Sequence, residues 1–194
     1  MLDLDQQLKT LGDLTVRAKL HFDLWTVTKH QDSWAAHQVT FDEYWNYLRF
    51  NREAHEQKFL VILAGLISNA RKDSVGVFQS IDSLQAGGHL SNERAEELKA
   101  KILTHKDVRN GIILIRNKLL AHRDIDQNYE LVWRKANLTI NGIGQLIDVL
   151  LDVVNDLLEA MNFQMRVAFS DPIDEFERLL RAARPRVSNV EVAE

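Results

Sequence analysis

The chain contains no cysteine, so a disulfide framework and a thiolate metal site are both excluded. It has only two prolines and eight glycines in 194 residues, which leaves few breakers to interrupt helices. Its longest purely apolar run, Phe59 to Ile67, is far short of the ~20 residues that a membrane span needs, and no membrane partner is expected. There is no internal repeat, no glycine-rich phosphate loop and no zinc-type cluster, so neither a metal nor a cofactor is expected. The first residues are acidic and polar, unlike the basic flank and apolar stretch of a signal peptide. Asn137-Leu-Thr139 has the form of a glycosylation acceptor, but without an export signal it is read as chance. An intracellular, cytoplasmic protein is the expectation. Hydrophobic residues at 45% and charged residues at 27% are ordinary for a globular chain.

The formal net charge of −4 argues against a protein coated in nucleic acid, but the charge is uneven. Lys101, Lys106, Arg109, Arg116, Lys118 and Arg123 crowd one stretch that holds a single acid, Asp107. Local positive potential of this kind steers polyanions, although a solvated basic helix face would look the same.

Apolar residues recur at three- and four-residue steps along nearly the whole chain, the signature of amphipathic helices. Leu8, Leu11, Leu14, Ala18, Phe22 and Trp25 predict a first helix ending near Lys29, followed by a loop from His30 to Gln38. Thr40-Phe-Asp-Glu43 reads as a capping box, with Val39 and Tyr44 as its hydrophobic staple, opening a long helix to about Lys72. A short helix should start at Asp73 or Ser74 and stop at Gly87-Gly88. Ser91 should cap the next. Thr104 and Asp107, with Leu103 facing Val108, predict the cap of another. After a polar connection from Arg123 to Tyr129, a long helix should begin between Trp133 and Leu138 and carry Ile143, Leu146, Leu150, Val153, Leu157 and Met161. Asp171-Pro172 reads as an N-cap with proline at the first helical position. The prediction is an all-α fold, an antiparallel up-and-down bundle of four to five main helices with extra short ones. It forms one domain over residues 1–184, with a frayed tail over 185–194.

One stretch of this bundle raises a chemical question. In Gly111-Ile-Ile-Leu-Ile-Arg-Asn-Lys-Leu-Leu-Ala-His-Arg-Asp124, successive residues of an ideal helix would be ~100° apart. Arg116 would then fall among Ile112, Ile115 and Leu119, on the face expected to be buried, while Asn117 would point elsewhere, next to Ala121. An unpaired guanidinium there would cost several kcal/mol as a rough scale, so either a carboxylate compensates it or the face lines a polar cleft. On the same straight helix Arg116 and His122 would be about 120° apart in azimuth and about 9 Å apart along the axis. One site from both requires a second copy of the helix, as in a two-fold dimer, or a helix that unwinds near His122.

The run from Arg116 to His122, with asparagine second and apolar residues between, resembles the arginine–polar–histidine signature of HEPN domains. "RNKLLAHRD" over Arg116 to Asp124 is particularly similar to the AbiU2-like branch, associated with abortive infection against phage. The resemblance implies a toxin or phage-defence endoribonuclease that cuts RNA without a metal and leaves 2′,3′-cyclic phosphate ends. It implies a homodimer with Arg116, Asn117 and His122 at a composite catalytic site, and a nucleotidyltransferase-like antitoxin as a possible partner. The residue types suit that chemistry. Histidine titrates near neutrality and can move protons, while arginine's permanently charged fork suits phosphate oxygens. Lys118 and Arg123 would be backbone-phosphate contacts on the RNA.

Two other readings remain open: a non-catalytic module that holds RNA or a nucleotide, and a helical interaction protein in which Arg116 pairs with a buried carboxylate. Elsewhere, Tyr44, Trp45, Tyr47, Arg49, Phe50 and Arg52 interleave rings and cations as single-strand binding surfaces do. Trp45 and Leu48 nevertheless sit on the predicted core stripe, so core and dimer contacts are expected there. His30 with His37, and His105 with Asp107, have no metal-site pattern. Arg178, Arg181, Arg184 and Arg186 form a basic strip read as a solvated face.

Overall fold

The structure is a computed structural model that describes residues 3–29, 31–68, 75–121, 129–163 and 172–183. The described residues are all-α, with no strand among them. In chain order the helices are α1 (Leu4–Val27), α2 (Gln31–Glu43), α3 (Trp45–Ile67), α4 (Val77–Ala86), α5 (Asn92–Leu103) and α6 (Lys106–Ile115). A π-helical turn (Arg116–Ala121) continues α6, and α7 (Tyr129–Ala136), α8 (Ile140–Ala160) and α9 (Pro172–Ala182) follow.

α1 packs chiefly against α3 and α8, and these three helices frame the bundle. Each offers one apolar stripe: Leu8, Leu11, Ala18, Phe22 and Trp25 from α1, Phe59, Leu60, Leu63 and Ile67 from α3, and Ile143, Leu146, Ile147, Leu150, Val154 and Leu157 from α8. α4, α5, α6 and α7 close the core with Ile81, Leu98, Ile112 and Val132 among others. Burying a side chain of this size stabilises by about 1.5–3 kcal/mol, so the periodic stripes, more than any cap, hold the fold. A second, smaller cluster joins α2, α3 and α9 through Phe41, Leu48 and Leu180, with Trp34 and Phe176 packed against it.

Several local signals act as the sequence predicts. The Ser91 hydroxyl accepts from the Arg94 amide at 3.2 Å and starts α5. Gly87 and Gly88 end α4, Gly88 at a φ of 76° that favours glycine. Pro172 opens α9. Other signals are overridden. Residues 31–38 are helical rather than a loop, in an α2 that kinks at His37. Thr40 caps nothing: it lies inside α2, buried, and its hydroxyl donates to the Leu180 carbonyl at 3.2 Å. The expected staple residues Val39 and Tyr44 are exposed, and α3 starts one residue after Tyr44 without a side-chain cap. Thr104 ends α5 instead of opening α6, its hydroxyl donating to the Lys101 carbonyl at 2.6 Å. The long helix expected to begin between Trp133 and Leu138 is α8, which starts at Ile140 under a Thr139 cap whose hydroxyl accepts from the Gly142 amide at 3.0 Å, and a separate short α7, beginning at Tyr129, precedes it. The axes of α7 and α8 meet at 61°. The expected start at Asp73 or Ser74, the cap at Asp171 and the tail at 185–194 lie outside the described residues. Among the described residues no single helix is long and apolar enough to cross a membrane.

Candidate active site

α6 carries the motif into position by close packing at its start. A Cβ on Gly111 would meet the Ala136 carbonyl oxygen at 2.5 Å and Leu138 Cδ2 at 2.7 Å. Only glycine therefore lets α6 lie this close to the α7–α8 junction. Ile112 and Ile115 are fully buried and fix the rotation of the helix.

The α-helical repeat then stops. The Arg116 amide reaches back to both the Ile112 and the Ile113 carbonyls, and from Arg116 to Ala121 the backbone is π-helical. A π turn closes i→i+5 hydrogen bonds, is wider than the α-helix, and recurs at functional sites. Its consequence is that azimuths extrapolated at 100° per residue fail after Ile115. Arg116 is half-buried rather than enclosed. Its Nη1 donates to the Asn117 side-chain oxygen at 2.8 Å, so Asn117 turns towards Arg116 rather than away from it. Among the described residues no carboxylate ion-pairs with Arg116. Lys118 is exposed beside it. Among the described residues, Asn117 engages only part of a guanidinium that carries five donors. His122 and Arg123 lie outside the described residues.

The local basic excess is not one surface. Lys101 approaches Glu97 and Asp156 at 3.8 Å and 3.6 Å. Arg109 is drawn inward: its Nη2 donates to the Ile67 carbonyl at 3.0 Å, and its guanidinium sits 4.8 Å from the Phe78 ring centroid. Burial pulls the Arg109 pKa down from its usual value, but arginine stays charged at any physiological pH. That cation closes the exposed carbonyl end of α3. Of the run's described cations, Arg116 and Lys118 are the two carried by the π turn.

A cleft of about 480 Å³ opens beside the π turn, lined by residues of α3, α6, α7 and the turn itself, with Lys29 from the end of α1. Ile115 and Leu119, which flank Arg116 in sequence, form part of its wall. Its polar centre is Glu56, a buried carboxylate on α3. Glu56 Oε2 accepts from Trp25 Nε1 at 2.8 Å, and Oε1 accepts from the Tyr129 hydroxyl. Lys29 Nζ lies 3.9 Å from Oε2 and 4.7 Å from the Trp25 ring centroid. Burial, followed by the bond to Glu56, pushes the Tyr129 phenol above its usual range, so Tyr129 remains a donor to that carboxylate. Sequence reasoning passed over Glu56, Tyr129 and Lys29. A signal was present: Leu48, Arg52, Glu56 and Leu60 run four residues apart along one face of α3, so two charged residues interrupt an apolar line.

The aromatic–arginine stretch at the start of α3 departs from expectation. Leu48 is buried, but Tyr44, Trp45, Tyr47 and Phe50 are exposed, and the Arg52 guanidinium lies 5.8 Å from the Trp45 ring centroid. The α9 cations are surface groups: Arg181 pairs with Glu177 at 3.2 Å and Arg178 donates to the Asp174 carbonyl at 3.3 Å. Among the described residues no group of three or more His, Cys, Asp or Glu side chains converges to hold a metal ion.

Compared with known proteins, residues 1–182 match the family model of AbiU2, a HEPN type. The match takes in every helix described above. No curated protein and no solved structure matched the chain.

Proposed function

The chain belongs to the AbiU2 family of abortive-infection HEPN proteins, and from that premise we propose that it is a metal-independent endoribonuclease acting as a homodimer. The observation that carries this reading is the state of Arg116: half-exposed at the start of a π turn, oriented by Asn117, and without a carboxylate partner among the described residues. A buried structural arginine would be enclosed and ion-paired. An arginine with spare donors beside a cleft is placed to receive a phosphate.

In the proposed reaction the 2′-hydroxyl of one nucleotide attacks the phosphorus that joins it to the next. The 2′-oxygen–phosphorus bond forms, the bond to the 5′-oxygen breaks, and the products end in a 2′,3′-cyclic phosphate and a 5′-hydroxyl. One group must take the proton of the 2′-hydroxyl and another must return a proton to the leaving 5′-oxygen. Histidine as a residue type can accept or donate a proton near neutral pH, so His122 is assigned one step and the His122 of a second copy the other. The Arg116 fork stabilises the charge that grows on the non-bridging oxygens, and Asn117 keeps that fork aligned. Lys118 and Arg123 hold flanking phosphates of the RNA. As a cytoplasmic toxin or phage-defence effector, such an enzyme would need a neutralising partner, and a nucleotidyltransferase-like antitoxin fits that role.

Induced expression of the parent and of Arg116→Ala and His122→Ala tests the proposal. The parent should arrest growth and fragment cellular RNA, and each substitution should restore both. Sustained arrest and RNA fragmentation by His122→Ala would remove the mechanism.

A further inference from the structure

The cleft beside the π turn, lined by Ile115 and Leu119, has features that phosphate binding alone does not use. Its volume, about 480 Å³, falls within the ~300–1,000 Å³ of small-ligand sites. Leu60, Ile115 and Leu119 give it apolar walls, and Tyr129 and Trp133 add two rings whose centroids lie 6.1 Å apart. The Tyr129 residue is 53% exposed, yet its hydroxyl is tied to Glu56. The ring is therefore an anchored flat surface, which favours stacking over a flexible one.

The Glu56 carboxylate is the cleft's buried acceptor, in a lining that also holds Glu53, Lys29 and Arg52. It is only 8% exposed, and each oxygen already accepts one bond, from Trp25 and from Tyr129. An ionised carboxylate offers about two acceptor positions per oxygen. Among the described residues one hydrogen-bonding position on each oxygen thus remains, in an orientation fixed by two ring donors, with Lys29 Nζ 3.9 Å from Oε2. A ligand that meets it must bring N–H groups. Gln57 lines the same cleft, and Lys29 and Arg52 add cations to its lining.

We propose that this cleft is a nucleobase pocket. It takes the base of the RNA nucleotide whose phosphate lies at Arg116 and Asn117, and it favours guanine, whose N1–H and amino group are adjacent donors, over the other three bases. The N1–H and amino group of guanine donate to the two Glu56 oxygens, the ring stacks on Tyr129 and Trp133, and the apolar wall excludes water. Uracil offers only its N3–H, and adenine and cytosine only an amino group beside a ring acceptor, so each would leave one carboxylate oxygen unmatched, the kind of mispairing that gives a site built for hydrogen bonding its discrimination. The proposal rests on the reading that Arg116 binds an RNA phosphate.

The test separates the two. Binding of AMP, CMP, GMP and UMP to the full-length protein is followed by the chemical shifts of the tryptophan indole groups. Alongside it, the bases next to each cut are sequenced after digestion of a random RNA pool. The expected result is binding of GMP at least tenfold tighter than AMP, CMP or UMP, and cuts enriched beside guanine. Glu56→Gln should erase the preference in both measurements. Because Glu56 also joins three helices, Trp133→Ala and Trp133→Phe provide a second comparison: the alanine variant should weaken all bases and the phenylalanine variant should recover most of that loss. Equal binding of all four monophosphates, or none at millimolar concentration, would overturn the pocket even if RNA is cut. So would nucleotide binding that leaves the cut pattern of Glu56→Gln unchanged, since the ligand would then be a free nucleotide and not the substrate's base.

Discussion

At the scale of single residues, the informative side chains are polar ones in apolar company. His21 and His55 face each other across α1 and α3 with Nδ1 atoms 2.8 Å apart. At that distance one nitrogen must donate and the other accept, so the pair is satisfied only while at least one ring is neutral. Burial first, then the charges of His55, Lys58 and Arg17, hold the His21 pKa below its usual value, and burial does the same for His55. Both folded values lie below the unfolded value of about 6.5, so below neutrality the unfolded chain binds more protons than the folded one. Stability should be constant above the unfolded value, fall as pH drops through it, and level off beneath the folded values. Urea unfolding at a series of pH values from neutral to mildly acidic would show this slope, and His55→Gln should flatten it; a parent with no slope would refute the pairing. Glu56 and Arg116 carry the complementary lesson about legibility. Both stand out as charges on apolar stripes. The sequence could not say that Glu56 is matched by Trp25 and Tyr129, because those partners come from helices far apart in the chain.

At the scale of elements, the stripes were readable but only some of the ends were. Apolar periodicity in α1, α5 and α8 located those helices because burial of each stripe dominates their stability. Thr40 and Thr104 failed as caps because hydrogen-bonding threonine can serve a carbonyl as readily as an amide. Thr40 spends its hydroxyl on Leu180 in α9, a partner no local pattern announces. The π turn was equally invisible, since the residues from Arg116 to Ala121 would fit an α-helix by propensity. Gly111 gives the sharpest test of how α6 is seated. The Ala136 carbonyl oxygen lies 2.5 Å from the point a methyl group on Gly111 would occupy. Gly111→Ala must therefore push α6 away from the α7–α8 junction, at a cost of about 1–3 kcal/mol for overpacking. The substitution would otherwise favour a helix by up to about 1 kcal/mol. Thermal unfolding should show a lower Tm, whereas a gain in stability would mean that the close approach is absent in solution.

At the scale of the whole molecule, one bundle delivers the motif, the cleft and the buried carboxylate to one neighbourhood. The π turn packs on α3 and α7, the helices that supply Glu56 and Tyr129 to the cleft. Thus the framework that stabilises the chain also orients the groups proposed to act on RNA. An all-α bundle was legible from composition and periodicity, and the match over residues 1–182 places it in the AbiU2 family. The proposed chemistry needs two proton-transfer groups, and each chain offers one His122, so the proposal requires a dimer as the active species. Light scattering coupled to size exclusion should give twice the 22.4 kDa of one chain, and an active monomer would contradict the composite site.

The central claim is that Arg116 and His122 cut RNA without a metal. The most direct test is to incubate purified protein, beside its His122→Ala variant, with total and transfer RNA in excess EDTA and to identify the new ends. The account predicts fragments with 2′,3′-cyclic phosphate and 5′-hydroxyl ends from the parent, and a rate at least ~10²-fold lower from the variant. Intact RNA with the folded parent, or equal cleavage by both proteins, would contradict it.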